Sequence, residues 1–308
     1  MPRPMLVFAG ILAALAAALA AGCGGGDGGV RATPQPLFSF VVLADPHVSW
    51  APDAAQRLEA CIDWIEANRD ARAIEVVLVV GDLGTPGKAK QVLDGLDVPW
   101  VPVIGDNVIQ GGGEATFDAT FEPQYDALAT DFPTFVRSPT PVPNGAGDAF
   151  YLQNFSFDHG GVHFIGLDWC TRTIGGATAE QADLHDFPGG TLPFLAADLA
   201  ACPKDRLENV VLLSHHPMHD VLDGAGSFSP GELDAVEATT APYADHVVAD
   251  FAGHYHFAWK DRENAGGFEV FVSDAVWDDD ATLRLVTVLD DGTRLQYAQE
   301  VVTVVAAP

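Results

Sequence analysis

Ile74-Glu75-Val76-Val77-Leu78-Val79-Val80-Gly81-Asp82 is the stretch on which the fold turns. It is a short Val- and Leu-rich run of the kind that fills a sheet buried on both faces, and it stops at a Gly-Asp pair. Four other runs share this form. Residues 38–44 lead into Asp45-Pro46-His47, and residues 100–104 into Gly105-Asp106-Asn107. Residues 210–213 lead into Ser214-His215-His216-Pro217, and residues 247–251 into Gly253-His254-Tyr255-His256. Ligands of α/β sheets gather outside the carboxyl ends of strands, so five runs that end in Asp or His predict one convergent site. Each cluster alone is weak evidence, because a lone Gly-Asp is ordinarily a turn and a lone His-x-His a surface pair or satisfied core histidine. Their common placement carries the reading.

Around these runs the chain alternates between strand and helix patterns, which argues for an α/β class. Residues 54–68 and 194–201 read as helices, and Cys61 shares a helical stripe with Leu58, Ile62 and Ile65. Residues 151–157 and 162–167 read as a hairpin turning at Asp158-His159-Gly160-Gly161. Residues 268–273, 281–290 and 293–305 read as consecutive strands, the last two joined at Asp291-Gly292. Residues 109–148 show no strong periodicity and contain Gly111 to Gly113 and Pro139 to Pro143, so they are expected to be a substrate-shaping lid or a solvated insertion. A hydrophobic content of 48% is ample for one large core over residues 37–308.

The ordered set of clusters resembles the calcineurin-like metallophosphoesterases, whose motifs run Asp-x-His, Gly-Asp, Gly-Asn-His-Asp/Glu, His-x-Pro and Gly-His-x-His. The resemblance covers residue 37 to the C-terminus. It implies a single-domain αββα sandwich of two facing mixed sheets flanked by helices. It also implies a dinuclear centre, with Asp45, His47, Asp82 and His256 on one metal and Asp82, Asp106, His215 and His254 on the other. Mixed carboxylate and imidazole ligands suit Fe, Mn, Zn or Co better than Ca. Two such cations about 3.5–4 Å apart clamp phosphoryl oxygens and bring a bridging water toward hydroxide at neutral pH. That hydroxide would attack a phosphomonoester or small phosphodiester. No protein nucleophile is needed, and the chain has no Gly-x-Ser-x-Gly, Walker loop or Gly-x-Gly-x-x-Gly helix opening.

One motif departs from the family. Gly105-Asp106-Asn107-Val108 stands where most members read Gly-Asn-His-Asp. Asp106 still offers a carboxylate oxygen, but the imidazole at position 107, worth roughly 10²- to 10⁴-fold as an acid, is absent together with the carboxylate that orients it. Asn107 is left as a donor to phosphate, and His216 or His219 as a substitute acid; His216 has the alternative role of shielding the site or bonding a carbonyl. The expected preference is for esters with good leaving groups. A second class of function stays open: a metal-binding envelope protein on the same fold with weakened catalysis.

Other candidates read as structural. His159 and His163 belong to the hairpin, Asp168-Trp169 lies near the site without binding metal, and His185 and His246 have no motif around them. Cys170 and Cys202 are possible disulfide partners in an oxidising compartment.

Residues 1–22 read as a secretory signal: Arg3 precedes an Ala- and Leu-rich stretch at 6–19, and Ala20-Ala21-Gly22-Cys23 resembles a bacterial lipoprotein box. Lipidation would then fall on Cys23, with residues 23–36 as a Gly/Pro-rich tether on the cell envelope; the alternative is a soluble periplasmic or secreted protein. The net charge of −28, from 43 acids against 15 bases, disfavours duplex DNA or RNA, whose binding relies on cations that neutralise phosphates. The expected partner is a small phosphoester, with membrane contact only through the Cys23 anchor.

Overall fold

Strand β1 (Gln35–Leu43) opens the domain and sits at the centre of one sheet. The computed structural model describes residues 33–172, 181–219, 226–261, 267–278 and 280–304, so the signal, Cys23 and most of the tether lie outside the described residues. After β1 come α1 (Ala54–Arg72), β2 (Ile74–Val80), α2 (Pro86–Leu93), β3 (Trp100–Val103), α3 (Asp106–Gln110) and α4 (Glu114–Asp131). Short strands β4 (Val136–Arg137), β5 (Val142–Pro143) and β6 (Ala149–Phe150) precede β7 (Phe155–His159), β8 (Val162–Leu167), α5 (Thr191–Ala201) and β9 (Val210–Ser214). The chain closes with α6 (Pro230–Thr240), β10 (Val247–Ala252), β11 (Trp259–Asp261), β12 (Glu269–Val272), β13 (Thr282–Asp290) and β14 (Leu295–Thr303).

The first sheet has the order β14-β13-β1-β2-β3, with β1, β2 and β3 parallel. The second has the order β11-β12-β10-β9-β8-β7-β4, with β8, β9, β10 and β12 parallel. The two sheets meet through aromatic rings: Phe40 of β1 lies edge-on to Phe164 of β8 at 5.4 Å and to Phe251 of β10 at 5.5 Å. Strand alternation sorts the second sheet's side chains. Phe164, Val211, Leu213 and Phe251 join the inter-sheet core, while Ile165, Val210, Leu212 and Val247 pack outward with Leu195 and Leu199 of α5 and Leu233 and Val236 of α6. Full burial of each such side chain is worth about 1.5–3 kcal/mol. On the first sheet α1 contributes its stripe of Leu58, Cys61, Ile62 and Ile65, all buried. The architecture is therefore the expected pair of mixed sheets flanked by helices.

Several local expectations need correction. Residues 114–131 are no lid or solvated insertion: they form α4, which buries Phe117, Phe121, Tyr125 and Leu128, with Phe121 edge-on to Trp100 and the Tyr125 hydroxyl donating to the Pro102 carbonyl at 2.9 Å. Helix α1 runs four residues past its expected end, to Arg72, and α5 starts earlier, at Thr191. In the hairpin, Asp158 and His159 pair within β7, and the turn is Gly160-Gly161 alone, with φ of 56° and 84° that suit a type I′ connection. β13 and β14 are joined by Asp291 to Arg294 rather than by a two-residue turn, because the Asp291 carboxylate accepts from the Thr293 and Arg294 N–H groups. Cys170 and Cys202 are free, as is Cys61. Cys170 packs at 3.8 Å from His216 Nδ1, whereas Cys202 bonds the Leu199 carbonyl at the end of α5. No helix among the described residues is long and apolar enough to cross a membrane.

Candidate metal centre

The carboxyl ends of β1, β2 and β3 in one sheet and of β9 and β10 in the other deliver the polar clusters to one place. Three sets of side chains there have ligand atoms within 4.8 Å of one another: Asp45, His47 and His256; Asp45, Asp82 and His215; and Asp106, His216 and His254. All seven expected metal ligands are among them. Their division differs from the expected one in a specific way. His216 joins Asp106 and His254, while His215 lies in the middle, 3.0 Å from Asp106 Oδ1, 3.6 Å from Asp82 Oδ1 and 3.7 Å from Asp45 Oδ1. His219 is elsewhere, edge-on to Trp259 and 3.3 Å from Asp261.

The backbone is bent sharply to bring these groups in. Nine non-glycine residues among those described have positive φ, and five of them are Asp45, His47, Asp82, His254 and His256. Such conformations cost on the order of 1–3 kcal/mol each, and they persist where the surrounding fold over-determines them. Close approach also fixes two of the motif glycines. A methyl group at Gly81 would overlap the His215 ring, and one at Gly253 would overlap the Asp45 carboxylate and the Val80 carbonyl.

The electrostatics of the cluster bear on what it could hold. Asp45, His47, Asp82, Asp106 and His215 are all buried, and no lysine or arginine pairs with the three carboxylates among the described residues. Burial pushes Asp45 well above the usual carboxylate range and Asp82 up to about 6, with the neighbouring carboxylates adding to the effect. Burial opposes charge on His215 too, but Asp82, Asp106 and Asp45 outweigh it and raise the imidazole to about 10. Burial and neighbouring imidazoles instead lower His47 to about 3 and His254 to about 4. His47 Nδ1 is buried without a hydrogen-bond partner, and His47 Nε2 faces His256 Nε2 at 3.0 Å. Concentrated carboxylates, neutral imidazoles and an orphaned ring nitrogen fit bound transition-metal ions.

Asn107 does not point its amide freely toward a substrate. Its backbone N–H donates to Asp82 Oδ1 at 3.1 Å, and its side-chain amide donates to Asp82 Oδ2 and, at 3.4 Å, to Asp106 Oδ1. Asn107 thus orients a candidate ligand, Asp82. Asp168 is tied to Arg172 and accepts from the Gln153 N–H at 2.9 Å, while Trp169 is buried edge-on to Phe228, consistent with structural roles beside the site. His159 pairs with Glu75, His163 lies between Asp158 and Asp198, His185 faces the Cys170 carbonyl, and His246 faces the Arg206 carbonyl and Asn209.

Sequence reasoning missed the surroundings of the ligands. A cleft of about 350 Å³ opens over Asp82, Asp106, Asn107, His254 and His256, and is also lined by Trp50, Gln110, Gly226, Tyr255 and Phe257. Asp250 was missed as well: it is fully buried on β10, lies 2.9 Å from Ser214 Oγ and accepts from the Met218 N–H at 3.0 Å, beneath the turn that carries His215 and His216. An Asp inside an apolar strand was the available signal.

A family model for calcineurin-like phosphoesterases matches residues 38–258. No curated protein sequence matches the chain. Among solved structures, a Staphylococcus aureus protein assigned as a 5′-nucleotidase is similar with a TM-score of 0.52 at 14% identity, over 88% of this chain and 55% of that one. A Candida albicans 5′-nucleotidase has a TM-score of 0.49 at 11% identity, over 89% and 52% of the respective chains. The Plasmodium inner-membrane-complex anchor GAP50 has a TM-score of 0.47 at 12% identity, over 88% and 90%. The chain spans about half the length of the first two, and the likeness to the S. aureus structure is one of fold.

Proposed function

Because the chain belongs to the calcineurin-like phosphoesterase family, we propose that it is a phosphoester hydrolase working with two transition-metal ions held among Asp45, His47, Asp82, Asp106, His215, His254 and His256. The observation that supports this best is the placement of Asp82. Its Oδ2 lies 3.5 Å from His47 Nε2 and its Oδ1 3.6 Å from His215 Nε2, so its two oxygens face two different imidazoles of the cluster. Ions bound there supply Lewis-acid polarisation of phosphoryl oxygens and a water of lowered pKa.

The chain's own groups do the rest. Asn107 fixes the Asp82 carboxylate through two N–H donors, and Gln110 holds Asp106 Oδ2 at 2.8 Å. His216, buried and grouped with Asp106 and His254, is the candidate to protonate a leaving oxygen in a site whose position 107 carries no imidazole. Substrates are small phosphomonoesters or phosphodiesters with good leaving groups, because a chain of net charge −28 repels long polyanions. The N-terminal motif supports export and a lipid anchor at Cys23, and Cys23→Ser is expected to release the protein from the membrane fraction.

The test is turnover by Mn²⁺- or Zn²⁺-loaded protein on p-nitrophenyl phosphate and bis-p-nitrophenyl phosphate, with Asp82→Ala as control. Wild-type turnover no higher than the control's would sink the hydrolase reading. Metal uptake without turnover would favour the second reading, a metal-binding protein with weakened catalysis, which the commitment of Asn107 to Asp82 motivates.

A further inference from the structure

Five large hydrophobic residues are substantially exposed among those described: Leu37, Trp50, Val136, Phe257 and Val301. Two of the five line a cleft that also contains candidate ligand carboxylates and imidazoles, and both are aromatic. Exposed aromatic surface around a polar site marks a contact made with something else.

Each ring is backed by a neighbour. Trp50 stacks at 3.9 Å and 31° on the His47 ring, with Trp277 edge-on at 6.2 Å, and it remains 54% exposed. Phe257 stacks at 6.0 Å and 21° on Tyr255, whose hydroxyl donates to the Gly226 carbonyl at 3.4 Å, and it remains 44% exposed. The backing holds the two rings in place at little further entropic cost on binding. The rest of the lining among the described residues is Asp82, Asp106, Asn107, Gln110, Gly226, Tyr255, His254 and His256, without a lysine or arginine. Among the described residues, a ligand with a second phosphate or a carboxylate would find no side-chain cation there. A flat uncharged ring would find two aromatic faces.

We propose that Trp50 and Phe257 form a subsite for a planar aromatic group carried by the phosphoryl unit, so that the preferred substrates are phosphoesters with a single phosphoryl group and an aromatic ring. The proposal rests on the hydrolase reading for the word substrate, but its recognition chemistry is testable without turnover. Stacking on an aromatic side chain is worth about 1–3 kcal/mol, roughly 5- to 150-fold in affinity. The volume of about 350 Å³ is at the small end for ligand sites, enough for one compact ligand.

The experiment uses non-hydrolysable probes, because an aryl ester also has the better leaving group and its faster turnover would prove nothing about binding. Phenylphosphonate, cyclohexylphosphonate and methylphosphonate are titrated calorimetrically into Mn²⁺-loaded wild type, Phe257→Ala and Trp50→Ala. Phenylphosphonate is expected to bind wild type about 10-fold tighter than methylphosphonate and several-fold tighter than cyclohexylphosphonate. Phe257→Ala should cut the phenyl-over-methyl ratio to about 2-fold or less. Trp50→Ala should do the same; because Trp50 touches His47, any loss of metal it causes lowers both affinities and leaves the ratio as the readout. Equal affinities in wild type, including no binding of either probe, overturn the proposal, as does a ratio that neither variant changes. A preserved ratio without turnover of any ester would refute the hydrolase reading alone.

Discussion

Replacing Asp250 by Asn should stabilise the protein at alkaline pH relative to acid, although it alters a buried, doubly hydrogen-bonded side chain. Asp250 lies on the face of β10 opposite Phe251, where burial pushes its carboxyl up to about 7. Ser214 has one hydroxyl proton and two acceptors within reach, the His216 carbonyl at 2.7 Å and Asp250 Oδ1 at 2.9 Å. A protonated Asp250 resolves this competition by donating to Ser214 Oγ while its other oxygen accepts from the Met218 N–H. The amide introduced by Asp250→Asn can make the same pattern without ionising. The folded pKa is raised above the unfolded value of 3.8, so the native state holds an extra proton between pH 4 and 7. Stability from this group is complete below pH 3.8 and is lost as pH rises through 7, by about 1.4 kcal/mol per pH unit. Between pH 5 and 8 the loss is about 3 kcal/mol in wild type and absent in the variant. Urea denaturation of both proteins in EDTA at pH 5, 6, 7 and 8 measures the difference. A wild-type-minus-variant stability that does not fall with pH would refute the proton assignment. Asp250→Leu, which leaves the Met218 N–H unpaired, should cost about 1–3 kcal/mol at any pH.

Other perturbations probe separate links. Gly253→Ala forces a methyl group against Asp45, so metal content after loading, read by elemental analysis, should fall with little change in far-UV circular dichroism. Burial opposes charge on His163, but hydrogen bonds to Asp198 and Asp158, each 2.7 Å long, raise its pKa. Its stabilisation is therefore complete below about pH 6.5 and lost as pH rises through the folded value, so His163→Ala should cost more at pH 6 than at pH 9 in urea melts. Phe121→Ala should cost about 3–5 kcal/mol if α4 is core, and near zero if the segment were a mobile cover. Metal removal by EDTA should lower the thermal midpoint by several degrees, since about 2.7 kcal/mol accrues for an ion at 100 times its Kd.

The parallel strands and the convergence of their polar ends were legible because both depend on local pattern: an apolar run, then Asp or His, repeated at 45, 82, 106, 215 and 254. Helix α4 was obscured although Phe117, Phe121, Tyr125 and Leu128 follow helical spacing, because Gly111 to Gly113 before it and Pro123 inside it read as punctuation. The commitment of Asn107 to Asp82, the division of His215 and His216, and the free state of Cys170 are tertiary facts that no spacing along the chain encodes. The cleft's aromatic walls fall between these cases. Trp50 and Phe257 stand within three residues of His47 and His256, but only the fold shows them exposed around the ligands.

The split of the site between two sheets also sets when it can come into being. Asp45, Asp82 and Asp106 arrive early in synthesis, His254 and His256 more than a hundred residues later, and β1 takes its antiparallel partner only when residues 282–290 have emerged. An N-terminal portion of the chain therefore has the carboxylates and His47 but neither His215, His254 and His256 nor a completed central sheet. Ions held as proposed would therefore be captured at the end of folding, and drawn from whichever compartment the finished chain folds in.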